Sequence, residues 1–108
     1  MQNSLKYIVL AFALNALSIS AFAQSMVEGV VVVGERGCKK SDLVVIYTSS
    51  GYVVAEQYGG SFDKDNKVVG VLNSYGFKDV LVNGRSGRLY IDDFMLSRDR
   101  AAEKCFRN

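Results

Sequence analysis

The sequence predicts a mainly β domain: a small, strongly curved antiparallel sheet or half-open barrel with one short C-terminal helix. Three observations predict it. Apolar residues come in short β-branched and aromatic runs separated by Gly, Ser, Asn and Asp. All 10 glycines fall between Gly29 and Gly87, and glycine lets a sheet bend tightly enough to close. Helix-start signals gather in one place, just after Leu96. A chain of 108 residues without internal repeat or linker allows a single domain.

The first expected strand, Glu28 to Val33, holds four consecutive valines and ends in the Gly34-Glu35-Arg36-Gly37 loop. Leu43 to Thr48 and Tyr52 to Tyr58 flank Ser49-Ser50-Gly51 and read as a hairpin. Gly59-Gly60 ends the second of these strands, Asp63 to Lys67 forms a polar turn, and Val68 to Leu72 is the next strand. Lys78 to Val82 and Arg88 to Ile91 flank Asn83-Gly84-Arg85-Ser86-Gly87. Asn-Gly suits a type I′ turn, but Ser86-Gly87 widens the expectation to a larger loop or a bulge. Alternation along Arg88-Leu89-Tyr90-Ile91 turns Leu89 and Ile91 to the core. At the C-terminus Ser97 caps a helix, Asp99 suits its positive end, and Lys104 and Arg107 suit its negative end. Leu96, Cys105 and Phe106 give that helix an anchoring side. Together these are about five or six short strands and a closing helix, the pattern of an SH3-like or OB-like barrel.

The N-terminus carries a different signal. Met1 to Lys6 is polar with one positive side chain, Tyr7 to Leu17 is almost wholly apolar, and Ala21-Phe22-Ala23 places small residues two apart. This three-part layout predicts a secretory signal peptide over residues 1–23 and a mature domain from Gln24 to Asn108. The apolar core breaks at Asn15 and Ser18, short of the roughly 20 residues that span a bilayer. No Cys stands directly after the cleavage position, so no stable membrane anchor is expected and the protein is placed in the periplasm or outside the cell. In that oxidising setting Cys38 and Cys105 are expected to form a disulfide. Its loop would enclose most of the domain and contribute about 4 kcal/mol in the chain-entropy account.

The residues argue against catalysis. Without His the chain lacks the commonest general base at neutral pH and the commonest metal ligand. Asp92 and Asp93 are adjacent, and on a strand they would point to opposite faces, ending it in a polar turn. Asp63 to Lys67 places Lys67 where a calcium loop needs an oxygen ligand and Val68 where it needs Gly. Ser74 and Lys78 lie four apart, not three as in S-x-x-K. Gly84 to Gly87 matches G-x-x-G but leads into a strand, not the helix a phosphate cradle requires. The chain is therefore expected to be no enzyme, with no metal and no cofactor. Its formal net charge of +2 gives no reason to expect a nucleic-acid partner.

Binding is the remaining class. Arg85, Arg88, Arg98, Arg100, Lys104 and Arg107 crowd the last quarter of the chain, with Asp92, Asp93, Asp99 and Glu103 among them. Exposed Tyr beside Arg is the usual composition of a recognition surface. The first candidate is the expected loop Asn83 to Arg88, where Arg85, Ser86 and Arg88 lead into Tyr90. The second is Asn73 to Phe77, with Tyr75 at its centre. The partner expected is another protein of the envelope or an extracellular enzyme, bound in the manner of an inhibitor or immunity-type protein. The alternative is a small envelope or stress protein that binds a small ligand or glycan.

Ser86-Gly87-Arg88-Leu89-Tyr90 reads S-G-x-x-Y. Over those five positions the chain resembles the periplasmic lysozyme inhibitors of Gram-negative bacteria, which are small exported antiparallel barrels. The resemblance implies that Ser86 and Tyr90 would hydrogen-bond the catalytic carboxylates of a partner enzyme. The chain departs from that family in having no Trp and a shorter expected barrel. A looser pattern over Val69 to Leu72, Tyr75 to Asp79 and Gly87 to Ile91 is similar to the strand-turn-strand core of small exported OB-fold envelope proteins.

Overall fold

A computed structural model describes residues 25–107. The segment read as a signal peptide, residues 1–23, lies outside the described residues. The chain forms β1 (Val27–Val33), β2 (Leu43–Thr48), β3 (Gly51–Gly59), β4 (Lys67–Gly70), β5 (Gly76–Val82), β6 (Arg85–Leu96) and α1 (Arg98–Phe106). The strands close into one antiparallel barrel in the order β1-β2-β3-β6-β5-β4. The mainly β reading with a single C-terminal helix thus holds, and the sheet closes fully where a half-open one also fitted the sequence. Closure comes from β1 and β4, paired from Val27↔Gly70 to Val30↔Lys67.

Antiparallel alternation gathers the β1–β2 loop, the β3–β4 loop and the β5–β6 turn at the upper end. The β2–β3 turn and the β4–β5 connection lie at the lower end. Inward side chains of every strand, among them Val31, Ile46, Val53, Val68, Val80 and Leu89, fill the barrel. Phe62 from the upper β3–β4 loop and Leu72 from the lower β4–β5 connection are fully buried in the same core, so both ends are plugged. Leu72 was expected on a strand; β4 ends at Gly70 and releases it to do this.

A second, smaller core lies outside the barrel. Leu43, Val45 and Val54 point outward from β2 and β3 and pack against Ala101 and Cys105 of α1. This is why most of β2 is buried on both faces, while β3 is buried in mid-strand. Ser97 caps the helix, its hydroxyl accepting from the Arg100 N–H at 3.2 Å. The Cys38–Cys105 disulfide forms as expected, joining residues 67 apart. Beside it the Lys39 N–H donates to the Cys105 carbonyl at 2.8 Å. Of the expected anchoring side, Cys105 is buried in this second core and Leu96 packs against it, while Phe106 is 56% exposed and Ala101 joins the anchor.

Both boundaries of β6 differ from the sequence reading. Asn83 (φ 49°) and Gly84 (φ 80°) make a tight two-residue turn. Arg85, Ser86 and Gly87 are already strand, paired with Val82, Leu81 and Val80. Gly87 is therefore a gap in the barrel wall and not a loop residue. A Cβ there would lie 3.1 Å from Phe62 Cζ and 3.0 Å from Val82 Cγ2, so the plug needs its absence. At the other end, β6 runs on through Asp92 and Asp93 to Leu96.

A nine-residue helix is too short to persist alone in water, and α1 buries only two of its side chains. Replacing both cysteines (Cys38→Ser with Cys105→Ser) is expected to cost about 4 kcal/mol, read in a denaturant melt. Hydrogen exchange should show α1 amides losing protection before those of the barrel, which keeps its own core.

Candidate functional site

Because Leu89 and Ile91 face the barrel interior, alternation puts Ser86, Arg88 and Tyr90 on the outer face of β6. Register supplies their neighbours: Phe77 opposite Tyr90, Asp79 opposite Arg88, and Leu81 opposite Ser86 on β5. On the other side, Glu56 of β3 lies opposite Tyr90. A register shift between Gln57 and Gly59 frees Tyr58 from direct pairing. Its ring then meets Phe77 edge-on, centroids 4.9 Å apart.

Phe77 is the centre of this face. Tyr90 packs edge-on against it at 4.9 Å, and the Arg88 guanidinium carbon sits 4.7 Å from its ring centroid. Tyr58 and Phe77 nevertheless remain 58% and 49% exposed. Edge-to-face pairs contribute about 0.5–1.5 kcal/mol each beyond area burial, and an exposed cation–π contact about 0.5–1 kcal/mol. These side chains are thus held in place before any partner arrives, and binding orders few new rotamers.

The other two residues singled out in the sequence lie elsewhere. Arg85 leaves this face and, with Ser86, lines a cleft of about 480 Å³ at the upper end of the barrel. Tyr75 precedes β5 and packs edge-on against Phe94 at 4.8 Å, where Phe94 adjoins the barrel core. At 63% exposed it is a separate aromatic at the lower end. Tyr58, absent from both candidate surfaces, joins the site through cross-strand geometry alone. Phe77 moves from the second candidate surface into the first.

Asp92 and Asp93 do not point to opposite faces. Val54 pairs with Asp93 and Ala55 with Ile91, so β6 carries an extra residue at Asp92. Val54 is outward and Ile91 inward, and the bulge therefore turns both carboxylates outward. Asp93 accepts from its neighbour's N–H (Phe94) at 3.0 Å and forms an ion pair with Lys104 of α1 at 3.4 Å. Asp92 borders a shallow hollow with Lys40, Glu56 and Lys104. Burial holds its carboxyl above the usual aspartate range; Glu56 and Asp42 add to this, and Lys40 and Lys104 oppose it. The pair is a charged border between β6 and the helix. Among the described residues, no group of three or more His, Cys, Asp or Glu is placed to hold a metal ion.

The chain matches no protein-family model, no curated protein and no solved structure. The disulfide is consistent with an oxidising, exported compartment. No helix among the described residues is long and apolar enough to cross a membrane.

Asp92 binds its proton more tightly folded than unfolded, so it subtracts stability at neutral pH. The penalty shrinks as pH falls through the raised value and is gone well below 3.8, the ordinary aspartate value. Asp92→Asn should therefore raise the thermal midpoint at about pH 7, and its advantage should narrow towards about pH 4. Paired thermal melts across that range check both the sign and the trend.

Proposed function

We propose that the protein is exported, to the periplasm or beyond the cell, and acts as a non-catalytic binding protein. On this reading the outer face around Arg88 and Tyr90 caps a partner protein, an envelope protein or an extracellular enzyme, as an inhibitor or immunity-type protein does. The observation that carries it is the pre-packed cluster of Tyr58, Phe77, Arg88 and Tyr90 on three adjacent strands of a closed barrel. Aromatic residues and Arg supply most hot-spot energy at protein interfaces, particularly when surrounded by polar groups that exclude water. Ser86, Glu56 and Asp79 form such a surround here. Serine and tyrosine hydroxyls on one outer face also suit the carboxylate-binding role implied by the S-G-x-x-Y resemblance. The absence of His supports the non-catalytic part.

A second reading, binding of a small ligand or glycan, is supported by the polar cleft beside this face.

Immobilised protein should retain a partner from periplasmic or culture extract that mass spectrometry identifies. Arg88→Ala with Tyr90→Ala should weaken the purified pair by about tenfold or more. The lost contacts with Phe77 should lower the thermal midpoint by several degrees but leave a cooperative melt, because the substituted side chains lie outside both cores. Equal affinity of the double variant would remove this face from the reading.

A further inference from the structure

The upper cleft is lined by hydrogen-bond donors, and the backbone sets the orientation of two of them, the Asn66 and Asn83 amides. It lies between the β3–β4 loop and the β5–β6 turn, with Ser61, Asp63, Asn66, Asn83, Arg85 and Ser86 on its walls. Asn83 Oδ1 accepts from the Lys67 N–H at 2.8 Å, and the Asn83 N–H returns a bond to the Lys67 carbonyl at 2.8 Å. Asn66 Oδ1 accepts from the Asp63 N–H at 3.0 Å. A backbone N–H needs an acceptor, so both amides turn their oxygens to the chain and keep Nδ2 as the free end. Among the described residues, the Arg85 guanidinium has no carboxylate partner, and neither it nor the Ser61 and Ser86 hydroxyls makes a side-chain hydrogen bond. Five donor side chains therefore surround one anionic acceptor, Asp63.

This composition selects a ligand. Arg85 calls for a carboxylate, which a guanidinium can hold through two parallel hydrogen bonds. Asp63 repels a bare anion and requires hydroxyl donors from the same molecule. Serine hydroxyls and amide NH2 groups match alternating ring hydroxyls. The cleft, at about 480 Å³, falls within the usual size of small-molecule sites. Its walls are firm, because Arg85 pairs with Val82 in the sheet and Gly60 packs directly on Gly87, whose Cα would lie 3.1 Å from an added Cβ.

We propose that this cleft binds a sugar acid: one hydroxylated ring whose carboxylate sits on Arg85 and whose hydroxyls are shared by Asp63, Ser61, Ser86 and the asparagine amides. The proposal rests on the small-ligand reading; the cleft shares only Ser86 with the protein-docking face.

The test is a titration of the purified, isotope-labelled protein followed by amide chemical shifts. The probes are glucuronic acid, glucose with the same ring and no carboxylate, and acetate with the carboxylate and no ring. Glucuronic acid should shift the amides of Ser61, Asn66, Asn83, Arg85 and Ser86, and should bind at least about tenfold more tightly than either control. Arg85→Ala should lower that affinity by about tenfold or more while its spectrum elsewhere remains that of the folded protein. Arg88→Ala with Tyr90→Ala should leave it unchanged. Acetate binding as tightly as glucuronic acid overturns the assignment to a sugar. Glucose binding as tightly overturns the role of the carboxylate but leaves the small-ligand reading standing. Silence at these amides from all three probes overturns both.

Discussion

Pairing of β1 with β4 is the constraint on which the rest of the molecule depends. It joins residues about forty apart in the chain, from Val27↔Gly70 to Val30↔Lys67, and turns a sheet with two edges into a barrel with none. The strands on either side of this seam also pack closely. A Cβ on Gly29 would lie 2.6 Å from Ile46 Cγ2, and one on Gly70 would lie 2.5 Å from Val80 Cγ1. Glycine at these two strand positions lets inward side chains of the neighbouring strands occupy the space a Cβ would take. Once the wall is closed, a single interior must be filled from six strands and sealed at both ends, the task of Phe62 and Leu72.

Closure also explains the helix. In a closed wall the alternation that turns Val44, Ile46, Val53 and Ala55 inward leaves Leu43, Val45 and Val54 on the outside. Helix α1 covers them, but it brings only Ala101 and Cys105 as buried anchors. The disulfide supplies what packing does not, and the partly buried Asp93–Lys104 ion pair adds a smaller contribution. The second core and the covalent bond are one device, and the barrel core is another.

The candidate surfaces follow from the same geometry. Tyr58, Phe77 and Tyr90 belong to three strands, and only the β3-β6-β5 order and its register bring them together. The β3 irregularity between Gln57 and Gly59 admits Tyr58 to the outer face, and the β6 bulge at Asp92 turns two carboxylates towards Lys104. The upper cleft depends on Asn83, whose side chain and backbone both bond Lys67 and so tie the β5–β6 turn to the start of β4. Local irregularities thus place the polar chemistry, and the regular ladder holds it still.

Much of this was legible in the residues. Short apolar runs, turn residues between them, the Ser97 cap and two cysteines behind an expected export signal were enough for the strand succession, the helix and the bridge, because each depends on neighbours in sequence or on the expected redox setting. Alternation likewise assigned Leu89 and Ile91 to the core. The failures share a cause. Ser86-Gly87 looked like a loop, Phe106 like an anchor, and Asp92 and Asp93 like opposite faces. In each case contact with another element decided otherwise: β5 against Ser86 and Gly87, the outer β2–β3 surface against Ala101 and Cys105, and β3 against the β6 bulge. Alternation tells which side chains share a face of one strand, but it carries no information about register across strands. By itself the sequence determined the elements, their order and the covalent staple. Complete closure, and the meeting of Tyr58, Phe77, Arg88 and Tyr90, were decided only when non-local pairing set one strand against another.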